Sequence, residues 1–317
     1  MAKVAIVGTG FVGASLGLAL RKSKLFDTIA GWDVDRGRLQ AAFRLGAIDE
    51  EARQAASAAD HAAVIVLAVP FDQLERALEA IVPGIFAGAV VTETTLWKVP
   101  AQRLASEVLH PETEFIGGRP VLDRRAGGEA SADVLRHAIY CLTPSSDSSQ
   151  DAINALSAVV TAAGAQPYFL DAAEHDALTA AGELLPGAVL ASLATALTGD
   201  PSWKDASHLA GDPFNRLAEL AEELPSTFWQ EACDNSAALA RWLDAAADRL
   251  LDLRHRIQPG AATDLDGEWQ VTLEALARWR RERRQLQEST MPPKSELKPN
   301  LFGSLGRRRG PSGPGRA

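Results

Sequence analysis

Two short stretches of this 317-residue chain hold residue types that do chemistry. The first is GTGFVG, Gly8 to Gly13. It follows the apolar run KVAIV (3 to 7) and precedes ASLGLALRKS, whose apolar residues have helical spacing. A Gly-x-Gly-x-x-Gly turn between a strand and a helix can cradle a pyrophosphate. Gly8 permits the tight turn, Gly10 lets the backbone approach the phosphates, and Gly13 lets helix and strand pack closely. Phe11 and Val12 complete the turn. The helix N-terminus then stabilises the phosphate charge. Asp33 ends the next predicted strand, TIAGWD, 20 residues after Gly13. A carboxylate there accepts hydrogen bonds from both adenosine ribose hydroxyls and repels a 2′-phosphate, so NAD is expected rather than NADP. Val69 and Pro70 end the run AAVIVLAVP, expected beside the same cofactor. Pro70 either shapes a loop over the dinucleotide or only stops the strand. The bland alternative is a glycine turn that binds nothing and an Asp33 that caps the next helix.

The second stretch is EFIGGRPVLD, residues 114 to 123, in which an apolar strand end runs into Gly117-Gly118 and then Arg119-Pro120. Ligands of open α/β sheets gather at the carboxyl ends of strands. The two glycines would let a substrate approach the backbone there. The Arg119 guanidinium could take a carboxylate through two parallel hydrogen bonds. It keeps its proton at any working pH and so cannot be a general base. Its alternative is a surface ion pair with Asp123 or Glu129.

The elements that would position these residues alternate. Strands are expected at 3–7, 28–33, 62–70, 89–94, 114–118, 137–144 and 166–171. Helices are expected after GTGFVG, over 35–46, FDQLERALEAIVPGI, VPAQRLASEVL and 151–164. This order predicts a doubly wound parallel α/β sheet of the Rossmann kind over residues 1–171. From Asp171 the chain becomes alanine-rich and helical, so an all-helical domain is expected over 172–257. Residues 258–317 form a basic extension. In it GEWQVTLEALARWRRERRQLQ suggests one more helix, and the part after about Ser289, rich in Pro, Gly and Arg, is expected to be disordered.

Bulk properties narrow the classes. Residues 278–317 hold eleven of the 32 Lys/Arg and three of the 41 Asp/Glu, so the tail is about +8 and the remainder about −17. An acidic body argues against nucleic acid as a partner. The run WRRERR (279 to 284) reads as a solvated helix face, or as a contact for nucleic acid or an anionic membrane. Cys141 and Cys233 make no disulfide framework, and no Cys/His spacing suggests a metal. The start MAKVAIVGTG is no signal peptide, and no stretch approaches membrane-spanning length. A cytoplasmic setting is expected.

The chain resembles the prephenate/arogenate dehydrogenase family of tyrosine biosynthesis. The resemblance spans roughly residues 3 to 256. It rests on the order and spacing of GTGFVGASLGLAL, VIVLAVP, VTETTLWK, FIGGRPVLDRRAGGEAS, CLTP, LDAAEHDALTAA with LLPGAVLASLA, and the Trp229 helix. It implies an NAD-binding domain followed by a helical domain that forms a homodimer. It also implies oxidation of a small cyclohexadienyl carboxylate, in which hydride leaves C4, carbon dioxide is lost and the ring becomes aromatic. The substrate half departs from the family pattern. A family histidine before proline is Arg119 here, a family serine is Leu96, and a Ser-His-Leu-Pro-His-like motif reads Gly182-Glu183-Leu184-Leu185-Pro186-Gly187. Arg216 lies near where the family offers an arginine to a carboxylate.

On that resemblance Lys98 matches a family lysine; its alternative is a solvated lysine at a helix start. His175 matches a family His-Asp pair, as a catalytic imidazole or as a structural partner of Asp176. Glu183 replaces a histidine, as a partly buried base or as an exposed helical glutamate. Two other functions remain open: a dehydrogenase of another small carboxylate, with Arg119 as anchor, and a non-catalytic NAD-binding dimer.

Overall fold

The computed structural model describes residues 2–122, 129–224 and 226–288. They fall into two units, one comprising the residues up to Ala172 together with those from Glu282, and one from Ala173 to Arg281. The tail from Ser289, expected to be disordered, lies outside the described residues, as does Asp123.

The first unit is one eight-stranded sheet with helices on both faces. Its strands are β1 (Lys3–Val7), β2 (Thr28–Trp32), β3 (Glu50–Glu51), β4 (Ala62–Leu67), β5 (Val90–Glu93), β6 (Glu114–Val121), β7 (Ile139–Thr143) and β8 (Gln166–Phe169). Their order is β3-β2-β1-β4-β5-β6-β7-β8. The helices are α1 (Phe11–Ser23), α2 (Arg36–Leu45), α3 (Ala55–Ala59), α4 (Leu74–Ile81), α5 (Val99–Val108) and α6 (Gln150–Ala162). The apolar runs read as buried strands because both sheet faces are covered. Val4 and Ile6 of β1 pack in one core with Leu16 and Leu20 of α1, while Ala5 and Val7 pack in another with Leu74 and Leu78 of α4. Strand order reverses between β1 and β4, which makes the switch point at which such sheets bind ligands.

The sheet is not parallel throughout. β6 and β7 pair antiparallel, with Arg119 opposite Cys141. Residues 129–138 between them form turns rather than a crossover helix, so the chain can only return beside its own strand. The short β3 and α3 were not foreseen, since Glu50–Glu51 has no apolar pattern and α3 spans five residues.

The second unit is helical. Its first helix is continuous over 27 residues, Ala172–Thr198. It comprises α7 (Ala172–Thr179), a π-turn at Ala180–Leu184, and α8 (Leu185–Thr198). Pro186 has no N–H to give Gly182 and would crowd that carbonyl in a regular helix. The widened turn accommodates it, with the Leu185 N–H bonded to the Ala180 carbonyl. This helix corrects the expectation that no stretch approaches spanning length: by length and composition one window qualifies, with a mean hydropathy of 1.5 and 28% of it buried. Short helices α9 (Trp203–Ala206), α10 (Asp212–Glu222) and α11 (Phe228–Asp234) precede α12 (Ser236–Arg256) and α13 (Ala262–Glu288). Arg249 and Arg256 of α12 both reach Glu268 of α13, at 3.3 and 2.8 Å. The unit therefore continues to Arg281, past the expected end at Ile257.

Candidate functional site

At the switch point the glycine turn is shaped as its sequence requires. Gly8 has φ of +93°, and a Cβ there would lie 2.4 Å from the Ala68 carbonyl oxygen and 2.9 Å from a Val69 methyl. A Cβ at Gly13 would lie 2.0 Å from the Gly8 oxygen, so α1 closes directly onto the turn. Gly10, the residue before α1, differs: nothing lies within 4 Å of its missing side chain. Open space faces the amide end of a 13-residue helix, as a phosphate group needs. Phe11, Val12 and Val69 are half-buried around it, and Pro70 is exposed at the start of a 3-10 turn, Phe71–Gln73.

Asp33, 6% exposed, ties the second strand to this turn. Its Oδ2 accepts from the Thr9 N–H at 2.7 Å and the Thr9 hydroxyl at 3.2 Å, and its Oδ1 accepts from the Asp35 N–H at 2.8 Å. Capping of α2 falls to Asp35, which accepts from the Gly37 and Arg38 N–H groups, so Asp33 is not the helix cap. A carboxylate has roughly four acceptor positions, so about one remains on Oδ1 rather than a full set for both ribose hydroxyls.

A second constellation lies at the carboxyl ends of β5 and β6. Lys98, at the start of α5, is 0% exposed, which overturns the solvated reading. Its ammonium donates to Glu93 Oε1 in a very short contact and to the Gly118 carbonyl at 2.8 Å. The other Glu93 oxygen accepts from the Thr95 N–H at 2.5 Å and the Thr95 hydroxyl at 2.6 Å. Arg119, the next residue after Gly118, is only 8% exposed, so it is no surface charge. Burial, with Glu93 nearby, pushes the Tyr140 hydroxyl pKa well above its ordinary value.

The glycine pair before Arg119 is not open to a ligand. A Cβ at Gly117 would meet Thr143 Oγ1 at 2.5 Å, Lys98 Cδ at 3.1 Å and Glu93 Oε1 at 3.2 Å. At Gly118 it would meet Thr92 Oγ1 at 2.8 Å and Tyr140 Cε1 at 3.0 Å. These glycines make room for buried polar side chains, not for substrate. Glu93, Thr95 and Thr143 were missed in the sequence. The available signal was an acid ending an apolar strand five residues before a lysine.

In the second unit His175 and Asp176 are both buried and paired, Nδ1 to Oδ1, at 3.0 Å. Glu183 is exposed within the π-turn. Arg216 is exposed and pairs with Asp212 at 2.9 Å. Gly187 seats the Phe228 ring, 2.6 Å from where its Cβ would be. Among the described residues no cluster of three His, Cys, Asp or Glu side chains could hold a metal.

The reversal of strand order, the glycine turn and Asp33 define the first unit as a dinucleotide-binding domain of the doubly wound class. Residues 16–169 match the family described as prephenate dehydrogenase, nucleotide-binding domain. Through this stretch, just under half of its length, the chain is similar to the prephenate dehydrogenases. Prephenate dehydrogenase of Bacillus subtilis is 29% identical over 193 residues, 60% of this chain and 52% of that protein. Probable prephenate dehydrogenase NovF of Streptomyces niveus is 28% identical over 251 residues, 75% of this chain and 64% of that one. The chain thus spans between about half and just under two thirds of these relatives. Among solved structures, Synechocystis arogenate dehydrogenase is 25% identical with a TM-score of 0.74, covering 87% of this chain and 99% of its own. Aquifex aeolicus prephenate dehydrogenase, solved with hydroxyphenyl propionate and NAD+, shares the fold at a TM-score of 0.74 and 22% identity, covering 89% of this chain and 98% of that one.

Proposed function

We propose that this chain is an NAD-dependent dehydrogenase that oxidatively decarboxylates a cyclohexadienyl carboxylate, prephenate or arogenate, in tyrosine biosynthesis. The observation that carries the reading is a buried carboxylate, Asp33, locked to a phosphate-ready glycine turn, with a buried guanidinium, Arg119, on a strand of the same sheet. Bound at the switch point, NAD would supply the hydride acceptor. Gly10 and the amide end of α1 hold the pyrophosphate, and Asp33 Oδ1 takes one ribose hydroxyl. Arg119 anchors a substrate carboxylate and so orients the C4 hydrogen. As C4 loses hydride and its hydroxyl loses a proton, departure of carbon dioxide leaves an electron pair in the ring, which becomes aromatic.

Arg119 stands where the family resemblance places a histidine, so the hydroxyl proton passes to another group or to water. Turnover is therefore slower than in a histidine-equipped relative, by about 10²–10⁴. The same observation supports a second reading: with Arg119 and Leu96 in place of histidine and serine, the chain could bind NAD as a dimer without catalysis. Exposed apolar side chains of the second unit, Leu250, Ile257, Trp269 and Val271 among them, support assembly as a homodimer through that unit. Cys141 and Cys233 form no disulfide, which suits the reducing cytoplasm. Incubation with NAD and prephenate or arogenate, followed by absorbance of reduced nicotinamide, tests the reading. Cofactor binding without turnover on either substrate favours the non-catalytic dimer.

A further inference from the structure

We infer that Glu93 and Lys98 are a positioning pair, in which Lys98 uses its charge inside the protein, on Glu93 and the Gly118 carbonyl, and so fixes the peptide that carries Arg119. The inference rests on the proposed role of Arg119 as a substrate anchor.

Four observations converge on it. Both side chains are wholly buried, at 0% exposure. A lysine with no exposed surface does not meet a substrate anion without rearrangement, and a carboxylate approaching it would find its charge already balanced by Glu93. Glu93 is held from both sides, by Lys98 on Oε1 and by two Thr95 donors on Oε2, so it cannot swing away from the lysine. Glu93 is opposite Gly117 in the β5–β6 register, and the Lys98 stem packs against Gly117, its Cδ 3.1 Å from where a Cβ would lie. Lys98 therefore clamps β6 against the start of α5, at the carbonyl one residue before Arg119. On the other side Arg119 is held by its pairing with Cys141. An error of about 1 Å in such an anchor can cost a hundredfold in rate.

The test is a cycle of Lys98→Met, Glu93→Gln and the double variant in the full chain. It is read by amide hydrogen exchange over residues 115–121, by NADH affinity and by kcat and KM. Each single variant leaves one buried charge unpaired. It is expected to speed exchange in that segment and to lower kcat/KM about tenfold or more, with NADH affinity within about twofold of the parent. The double variant removes both charges and is expected to recover slow exchange and most of kcat/KM. If Lys98→Met does not fold, Glu93→Gln tests the pair from its other side. Unchanged exchange in the single variants would overturn the inference. So would a double variant that regains slow exchange but not substrate affinity, because the lysine would then touch substrate. A parent protein that turns over neither substrate would refute the dehydrogenase reading alone, and the exchange series would still decide whether the pair holds β6.

Discussion

Asp33 and Arg119 carry the specificity of the proposed site, and each makes a separate prediction. Asp33 both supports the glycine turn and offers one acceptor to a ribose. Asp33→Ala should weaken NADH binding and narrow its advantage over NADPH; one charge-assisted bond is worth roughly 1.5–3 kcal/mol. Fluorescence titration of both nucleotides checks this, and tighter NADPH binding by the parent would refute it. Arg119→Lys keeps the charge but loses the planar fork, so substrate KM should rise while NADH binding stays unchanged. Arg119→His restores the residue implied by the family resemblance and should raise kcat if only a base is missing. Equal substrate affinity in the parent, Arg119→Lys and Arg119→Ala would remove Arg119 from the site. The glycine turn was legible in the sequence because a strand, a tight turn and a helix start admit few alternatives to Gly8 and Gly13. The Glu93–Lys98 pair was not. Burial of a lysine leaves no periodic mark, and its partner is reached across a loop.

At the scale of elements, strands and helices were readable from apolar runs, while pairing direction was not. The sequences of β6 and β7 do not mark a direction, and the turns described at residues 129–138 go with the antiparallel pair. The π-turn was likewise hidden. Pro186 signals a disturbance, but its accommodation depends on the whole helix from Ala172 to Thr198. Gly187 shows how such details constrain repair. Its missing side chain seats the Phe228 ring, so Gly187→Ala should destabilise the protein by about 1–3 kcal/mol, read as a lower urea midpoint with an unchanged slope. A bulky Gly187→His would not restore the family motif without displacing α11. Between α12 and α13, Arg256 holds the Glu268 carboxyl below the usual range. A depressed folded value means stabilisation present at neutral pH and lost as pH falls through that value. The group is solvent-exposed, so Glu268→Gln should change the acid limb of stability only slightly, and a large shift in the acid midpoint would contradict this.

The whole molecule joins a sheet domain that holds the nucleotide site to a helical unit rich in exposed apolar side chains. Among the described residues, most of the exposed large apolar side chains belong to that second unit, more than a lone surface requires. Sedimentation should therefore give a dimer, and Leu250→Glu with Trp269→Glu should give a monomer that still binds NADH. A parent that sediments as a monomer would refute the assembly. The reach of the second unit, to Arg281, was not legible because Gln258-Pro259-Gly260 reads as a terminus, whereas the ion pairs that draw α13 back onto α12 form only in three dimensions. Purified protein should reduce NAD in the presence of prephenate or arogenate, with release of carbon dioxide, and Arg119→Ala should abolish most of that rate without loss of NADH binding. Tight NAD binding with no reduced nicotinamide formed from either substrate would refute the dehydrogenase reading.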